Sequence, residues 1–237
     1  MADSSSVSIL TNIFTAPNEA FAALKERPRV LLPVLVLIVG YSVVSFYYLS
    51  HVDMGWFLDN QLRVGNANIT EAQRAQTVAA AAKIPPMLYG AFGAVSANFA
   101  SFLIMFIVAV YFTIVSFFTR DGVRLGQWFA LLCWCAMPGV LGQVAALVNM
   151  LINEPRFMIQ DAINPLAFGN LLSIDAADKT ILQRSLLGVN LTAIWALVLE
   201  VMGYQSFTKS SFGKTVAVVL GPLVLIVVIA SLFALRR

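Results

Sequence analysis

The sequence predicts an all-α integral membrane protein, a bundle of five transmembrane helices preceded by an amphipathic N-terminal helix. Of its 237 residues, 59% are hydrophobic and only 11% are charged, whereas an average soluble domain carries about 25% charged residues. The chain therefore has too little charge to cover a water-facing surface. Its apolar residues also gather into five stretches, each long enough to cross the roughly 30 Å of bilayer hydrocarbon as a helix of about 20 residues.

These stretches divide the chain into two parts. Residues 1–30 are predicted to be a cytoplasmic amphipathic segment, and residues 31–237 to be the membrane domain. The second stretch would be roughly 48 Å long at 1.5 Å per residue, so it must tilt, bend or project beyond the bilayer. Pro138 should kink the third stretch, because proline removes one helical hydrogen bond. The five predicted spans are residues 31–50, 87–118, 126–152, 185–207 and 215–235.

The lysines and arginines predict the orientation. With five spans, one side of the membrane receives basic residues in short segments next to spans, and the other receives basic residues spread mainly through two long loops. Positively charged residues in short segments beside spans favour the cytoplasm. We therefore expect a cytoplasmic N-terminus and an outer C-terminus. The first set is Lys25, Arg27, Arg29, Arg120, Arg124, Lys209 and Lys214; the second is Arg63, Arg74, Lys83, Arg156, Lys179, Arg184, Arg236 and Arg237.

The N-terminal segment has the pattern of a helix lying on a membrane. Ile9, Leu10, Ile13 and Phe14 form one apolar stripe, and basic residues follow it where anionic headgroups would lie. Docking of a partner protein is the alternative explanation of the same stripe. The residues predicted to contact the membrane surface are Phe14, Phe21, Lys25, Arg27 and Arg29.

The sequence offers little for catalysis. His51 is its one histidine, and no converging ligands for a metal ion surround it. Cys133 and Cys135 are two residues apart, so on a helix they point about 200° away from each other. No serine or cysteine nucleophile has a base at the same depth. We therefore expect a non-enzymatic protein without a cofactor, a metal ion or a nucleic-acid partner.

Polar residues inside the apolar stretches form a candidate intramembrane site. Glu200 is the one ionisable residue well inside a stretch, and a carboxylate in hydrocarbon costs about 3 kcal/mol on insertion scales. It shares a helix face with Gly203 and other small residues, which lets helices approach closely. Two interpretations remain open: Glu200 locks the bundle by hydrogen bonding to Asn149, Gln143 or Asn98, or these groups bind a cation or proton along a transport path.

The segment IFTAPNEAFAALKERPRVLLPVLVL resembles the opening of prokaryotic Yip1-domain membrane proteins, in which an amphipathic segment and basic residues precede the first of five spans. INPLAFGNLL and LLGVNLTAIWALVLEVMGYQSFTKSSFGKTVAVVLGP resemble later parts of the same family. In eukaryotic relatives the resemblance implies adaptors of Golgi and vesicle membranes that bind Rab-type GTPases or each other. Their acidic Asp-Leu-Tyr-Gly-Pro motif is absent here, so no functional residue is carried over.

The expected function is therefore that of a scaffold or adaptor that organises partner proteins or lipid, in a bacterial inner membrane. Its expected partners are the lipid bilayer and either another membrane protein or further copies of this chain. The alternative is a small oligomeric transporter or channel that uses Glu200 and the nearby amides.

Overall fold

A computed structural model describes residues 5–65, 69–174, 183 and 187–234 of the chain. Within these ranges, every regular element of more than one residue is a helix. Short 3₁₀ turns follow α8 at Pro155–Phe157 and Gln160–Ala162. The helices are α1 (Ser6–Thr15), α2 (Pro17–Glu26), α3 (Leu31–His51), α4 (Met54–Gly65), α5 (Glu71–Ala81), α6 (Pro86–Thr119), α7 (Leu125–Cys135), α8 (Pro138–Asn153), α9 (Phe168–Leu171), α10 (Leu191–Thr208) and α11 (Phe212–Ala234).

Three segments of the described chain are long and apolar enough to cross a membrane. They are Leu31–His51, Pro86–Thr119 and the Leu125–Asn153 segment that α7 and α8 form together. They coincide with the first three predicted spans, so an all-α membrane bundle is supported, whereas five spans are not established. The predicted fourth span, residues 185–207, begins partly outside the described residues, and its helix starts at Leu191.

The predicted kink at Pro138 is confirmed as a break between α7 and α8. Met137 donates its N–H to Trp134 O at 3.1 Å, and Gly139 donates to Ala136 O at 2.9 Å. Both bonds span three residues instead of four, so the chain tightens before Pro138 begins a new helix.

Helices α3 and α6 pack closely along each other. A Cβ atom at Gly93 of α6 would overlap the side chain of Leu49, and one at Gly90 would lie 2.9 Å from Phe46 O. Because α6 starts beside the end of α3 and is about 20 Å longer at 1.5 Å per residue, its last turns extend beyond the start of α3.

Around those last turns lies the main hydrophobic core. It joins α1, α2, α7, α10 and the start of α11, and aromatic rings fill its centre. Trp128 stacks on Tyr204 with ring centroids 5.1 Å apart, and Phe112 packs edge-on against both rings. The Trp128 indole N–H donates to Ser116 Oγ at 3.0 Å, so its buried polar atom is satisfied.

After α8 the chain folds back along that helix. Asn164 and Thr192 bring their side chains to Gly142, where an added Cβ would lie 2.9 Å from Thr192 Oγ1. Gly142 lies about 16 Å from Asn153 along the α8 axis at 1.5 Å per residue. Helix α10, capped by the Asn190 side chain, therefore begins beside the first turns of α8, about halfway along the Leu125–Asn153 segment.

Candidate intramembrane site and N-terminal surface

Glu200 lies on the packing face of α10, beside Cys135 of α7. Gly203, one turn further along this face, is so close to Leu131 that any Cβ there would overlap the leucine side chain. The small-residue face predicted from the sequence is therefore a helix contact at this point. Within the described part of the chain, no residue hydrogen-bonds to the Glu200 carboxylate.

Asn98 lies between α6 and α3. Its Nδ2 donates to Ser42 Oγ at 2.9 Å and to Ala94 O at 2.8 Å. Its Oδ1 atom is buried and has no hydrogen-bond partner in the described structure. Asn98 thus ties two helices together and leaves one acceptor unused.

Gln143 lies on α8 against α3, where its side chain occupies the space that a Cβ at Gly40 would need. Its Oε1 atom is also buried without a partner among the described residues. Gly40 and Ser42 are two residues apart on α3 and so face about 200° away from each other. Gln143 and Asn98 therefore lie on opposite sides of α3.

Asn149 holds the segment that follows α8 against that helix. Its Nδ2 donates to Ala162 O at 3.0 Å and to Ile163 O at 2.9 Å, and its Oδ1 accepts from Asn153 at 2.7 Å. The hydrogen bond between Glu200 and one of the amides, which belongs to the first of the two interpretations, is not formed among the described residues. The four predicted residues lie at four different contacts and do not make one site.

The N-terminal apolar stripe is covered by protein. Ile9, Ile13 and Phe21 are fully buried in the main core, and Phe14 packs edge-on against Trp195 with centroids 5.3 Å apart. The prediction that Phe21 contacts the membrane is therefore wrong. Its ring is enclosed by α7 and α10, which offered a closer apolar surface than lipid.

Lys25 ties the end of α2 to two other helices. Its ammonium group donates to Phe207 O at the end of α10, where a cation offsets the partial negative charge of the last carbonyls. Gln127 Nε2 donates to Lys25 O at 2.6 Å, and Trp134 Nε1 donates to Arg29 O at 2.7 Å. Sequence reasoning missed Gln127 and Trp134, although a polar and an indole donor inside an apolar run each require an acceptor.

Arg27 is exposed and Arg29 is partly buried. The two cysteines are buried on α7, as expected for packing residues. His51 stacks on Tyr47 with ring centroids 4.2 Å apart. Within the described ranges, no group of three or more histidine, cysteine, aspartate or glutamate residues could hold a metal ion.

Two apolar grooves flank α3. One, of about 640 Å³, lies between α3 and α6 and is lined by Asn98 among apolar residues. The other, of about 410 Å³, lies between α3 and α8 and is lined by Gln143. Each groove thus contains one amide whose carbonyl oxygen has no partner in the described structure.

Comparisons with known proteins identify the family. Neither the curated proteins nor the solved structures include a match to this chain. The family model described as the Yip1 domain matches residues 11–235, which is nearly the whole sequence. The match includes the second half of α1 and all of α2 to α11, so it covers the whole bundle. The chain belongs to the Yip1-domain family of membrane proteins.

Proposed function

We propose that this protein is a non-enzymatic scaffold that holds a partner membrane protein against the α3–α6 face, in a bacterial inner membrane with its N-terminus in the cytoplasm. The observation that supports the proposal is the groove between α3 and α6. It is open, almost entirely apolar, and lined by Asn98, whose Oδ1 is buried and has no hydrogen-bond partner in the described structure.

The chemistry of this groove favours a protein helix over lipid tails. Hydrocarbon offers no hydrogen-bond donor, so Asn98 Oδ1 stays unpaired when acyl chains fill the groove. A transmembrane helix with a serine, threonine or amide side chain supplies both apolar contact and a donor. Both Asn98 N–H groups are already used within the chain and its Oδ1 is buried, so a partner side chain that pairs with Asn98 must donate and must reach Oδ1 beneath the surface of the groove.

The transport alternative has less support. Glu200, Asn98, Gln143 and Asn149 would have to line one path, and in the described residues they lie at separate contacts.

The proposed orientation rests on the basic residues. The end of the bundle that contains the end of α2 also contains the α6–α7 and α10–α11 turns, and each of these turns carries exposed basic residues.

The test is co-purification of the tagged protein from its native membrane in mild detergent. Val95→Trp fills the groove from the exposed face of α6, and Val148→Trp is the matched control on the exposed face of α8. We expect a partner protein at a fixed stoichiometry with the wild type and with Val148→Trp, and its loss with Val95→Trp. Recovery of this chain with lipid alone, or equal recovery of a partner with both variants, would refute the proposal.

A further inference from the structure

Two turns at the same end of the bundle share an unusual geometry. Helix α6 ends at Thr119 with Arg120 in the left-handed conformation (φ 57°, ψ 32°), and α10 ends at Thr208 with Lys209 at φ 58°, ψ 23°. We call residues 119–124 and 208–214 the paired turns. Glycine normally takes such a position because side chains are strained there. Each turn instead places a long basic side chain just beyond a helix end.

In both turns a threonine hydroxyl lies between a backbone carbonyl of its own helix and a side chain of the turn. Thr119 Oγ1 lies 3.0 Å from Val115 O and 2.6 Å from Asp121 Oδ2. Thr208 Oγ1 lies 2.9 Å from the carbonyl oxygen of Tyr204, again four residues earlier, and 3.0 Å from the side chain of Ser210, again two residues later. The repeated arrangement fixes the backbone on both sides of Arg120 and Lys209.

The end of α2 joins the paired turns into one surface. Gln127 accepts the Arg124 N–H at 2.9 Å and donates to Lys25 O, while the Lys25 ammonium donates to Phe207 O beside the second turn. Lys25 is thereby occupied, whereas the basic residues of the turns point outward. Those exposed residues are Arg120, Arg124, Lys209 and Lys214.

The paired turns carry four basic side chains and one acidic side chain, Asp121, whose carboxylate hydrogen-bonds to Thr119 and to the Val123 N–H within its own turn. None of the four basic side chains forms an ion pair within the described chain. At the other end of the bundle, Arg63 pairs with Asp59 at 2.7 Å and Arg74 pairs with Asp59 at 3.1 Å, while Lys83 and Arg156 are exposed without an ion pair among the described residues. The paired turns therefore present positive charge that a ligand can meet.

Exposed aromatic rings beside these charges identify the ligand class. Phe117 and Phe118 are 78% and 77% exposed just before Arg120, and Phe212 is 66% exposed just before Lys214. Aromatic rings next to basic residues are typical of the boundary between hydrocarbon and headgroups. Nucleic acid or an acidic peptide in water would leave the phenylalanine rings exposed to solvent.

We propose that the paired turns bind the phosphate groups of anionic phospholipids, with Phe117, Phe118 and Phe212 inserted beneath the headgroups. This site is separate from the α3–α6 groove, so it can be tested independently of the proposed scaffold role. It also differs from the N-terminal residues singled out in the sequence, because Lys25 is bound to a backbone carbonyl and Phe21 is enclosed.

The test measures lipid bound to the full-length protein in neutral detergent micelles doped with phosphatidylglycerol or phosphatidylcholine. The variant is Arg120→Asn with Lys209→Asn, since asparagine tolerates the left-handed conformation. Arg63→Gln with Arg74→Gln is the control, which removes the same charge at the other end. At roughly fivefold per basic residue near an anionic surface, the variant should need at least tenfold more phosphatidylglycerol for half-saturation.

Wild type and control should bind phosphatidylglycerol equally and prefer it to phosphatidylcholine. A second variant, Arg124→Gln with Lys214→Gln, should weaken binding similarly and covers the case in which the first does not fold. Equal half-saturation in all proteins, or equal binding of the two lipids, would overturn the proposal. So would full displacement of the lipid by millimolar inorganic phosphate, which would show a site for soluble phosphate instead.

Discussion

Replacing Phe21 with alanine separates two accounts of the N-terminal helices. If the Phe21 ring contacted lipid, as the sequence suggests, its loss would weaken membrane contact and leave the fold nearly unchanged. In the structure the ring is fully buried in the main core together with Leu24 and Trp128. Phe21→Ala should therefore destabilise the whole bundle.

The size of the effect follows from the burial. Replacing a fully buried phenylalanine with alanine removes its apolar contacts and leaves a cavity, which costs about 3–5 kcal/mol. For a protein of this length, each kcal/mol lowers the unfolding midpoint by roughly 2–4 °C. The expected decrease is at least about 6 °C, even when the cavity partly collapses.

The protein contains its own probe for this measurement. Both of its cysteines are buried on α7: Cys135 lies in the main core together with Phe21, and Cys133 lies on the side of α7 that faces Tyr41 of α3. A thiol-reactive dye should label them only when this core opens, so labelling during a temperature ramp reports its unfolding. Phe117→Ala, which truncates a 78% exposed ring, is the matched control and should change the midpoint by less than about 2 °C. Equal midpoints for Phe21→Ala and wild type would refute the placement of Phe21 in the core.

Three further substitutions test other contacts. Tyr48→Phe removes the 2.8 Å hydrogen bond to Met158 O and should cost about 1 kcal/mol in the same labelling assay; an unchanged midpoint would contradict the contact. Gly93→Leu should abolish recovery of monodisperse protein in gel filtration, because its side chain would collide with Leu49, and normal recovery would show that α3 and α6 lie further apart. Thr70→Ala removes the capping box of α5 and should speed amide hydrogen exchange in that helix by about fivefold, for a cap worth about 1 kcal/mol, while the midpoint stays unchanged; unchanged exchange would refute the cap.

Several features of the fold could be predicted from the sequence because they depend on local properties. A run of about 20 apolar residues has few alternatives to a helix in lipid, and the first three spans follow this rule. The break before Pro138 follows equally from the missing N–H and the fixed φ of proline. In both cases the decisive physics acts within a few residues of the chain.

The packing of helices α1 and α2 could not be predicted in the same way. An apolar stripe of helical period shows only that one face avoids water, and lipid and protein satisfy that requirement equally. Whether the stripe contacts lipid or protein depends on Trp128 and Tyr204, which are more than a hundred residues away and offer a matching apolar surface. Lys25 illustrates the same limit. Its acceptor is the backbone carbonyl of Phe207, and because every residue has such a carbonyl, the residue type does not reveal the pairing.

The polar residues inside the apolar stretches do not form the group that the sequence suggested. A polar residue in a span must find a partner, and the sequence invites pairing it with other polar side chains. Asn149 instead binds two backbone carbonyls of the segment that follows α8, and Asn98 uses one carbonyl of its own helix. Backbone acceptors outnumber polar side chains, so such pairings cannot be read from residue types.

The segment that follows α8 and folds back along it also explains why the two ends of the bundle differ. Irregular backbone beside a membrane helix is tolerated only where its polar groups are satisfied, and Asn149 and Asn170 bond to carbonyls of residues 161–164. Because this segment lies against α8, helix α10 starts near Gly142 and fills only the half of the bundle next to the paired turns. In the other half, α3, α6 and α8 expose apolar side chains. The fold thus places the charged paired turns at one end of the bundle and the apolar grooves along the two sides of α3. Lipid headgroups and a partner helix could therefore be held at the same time without competing for the same residues.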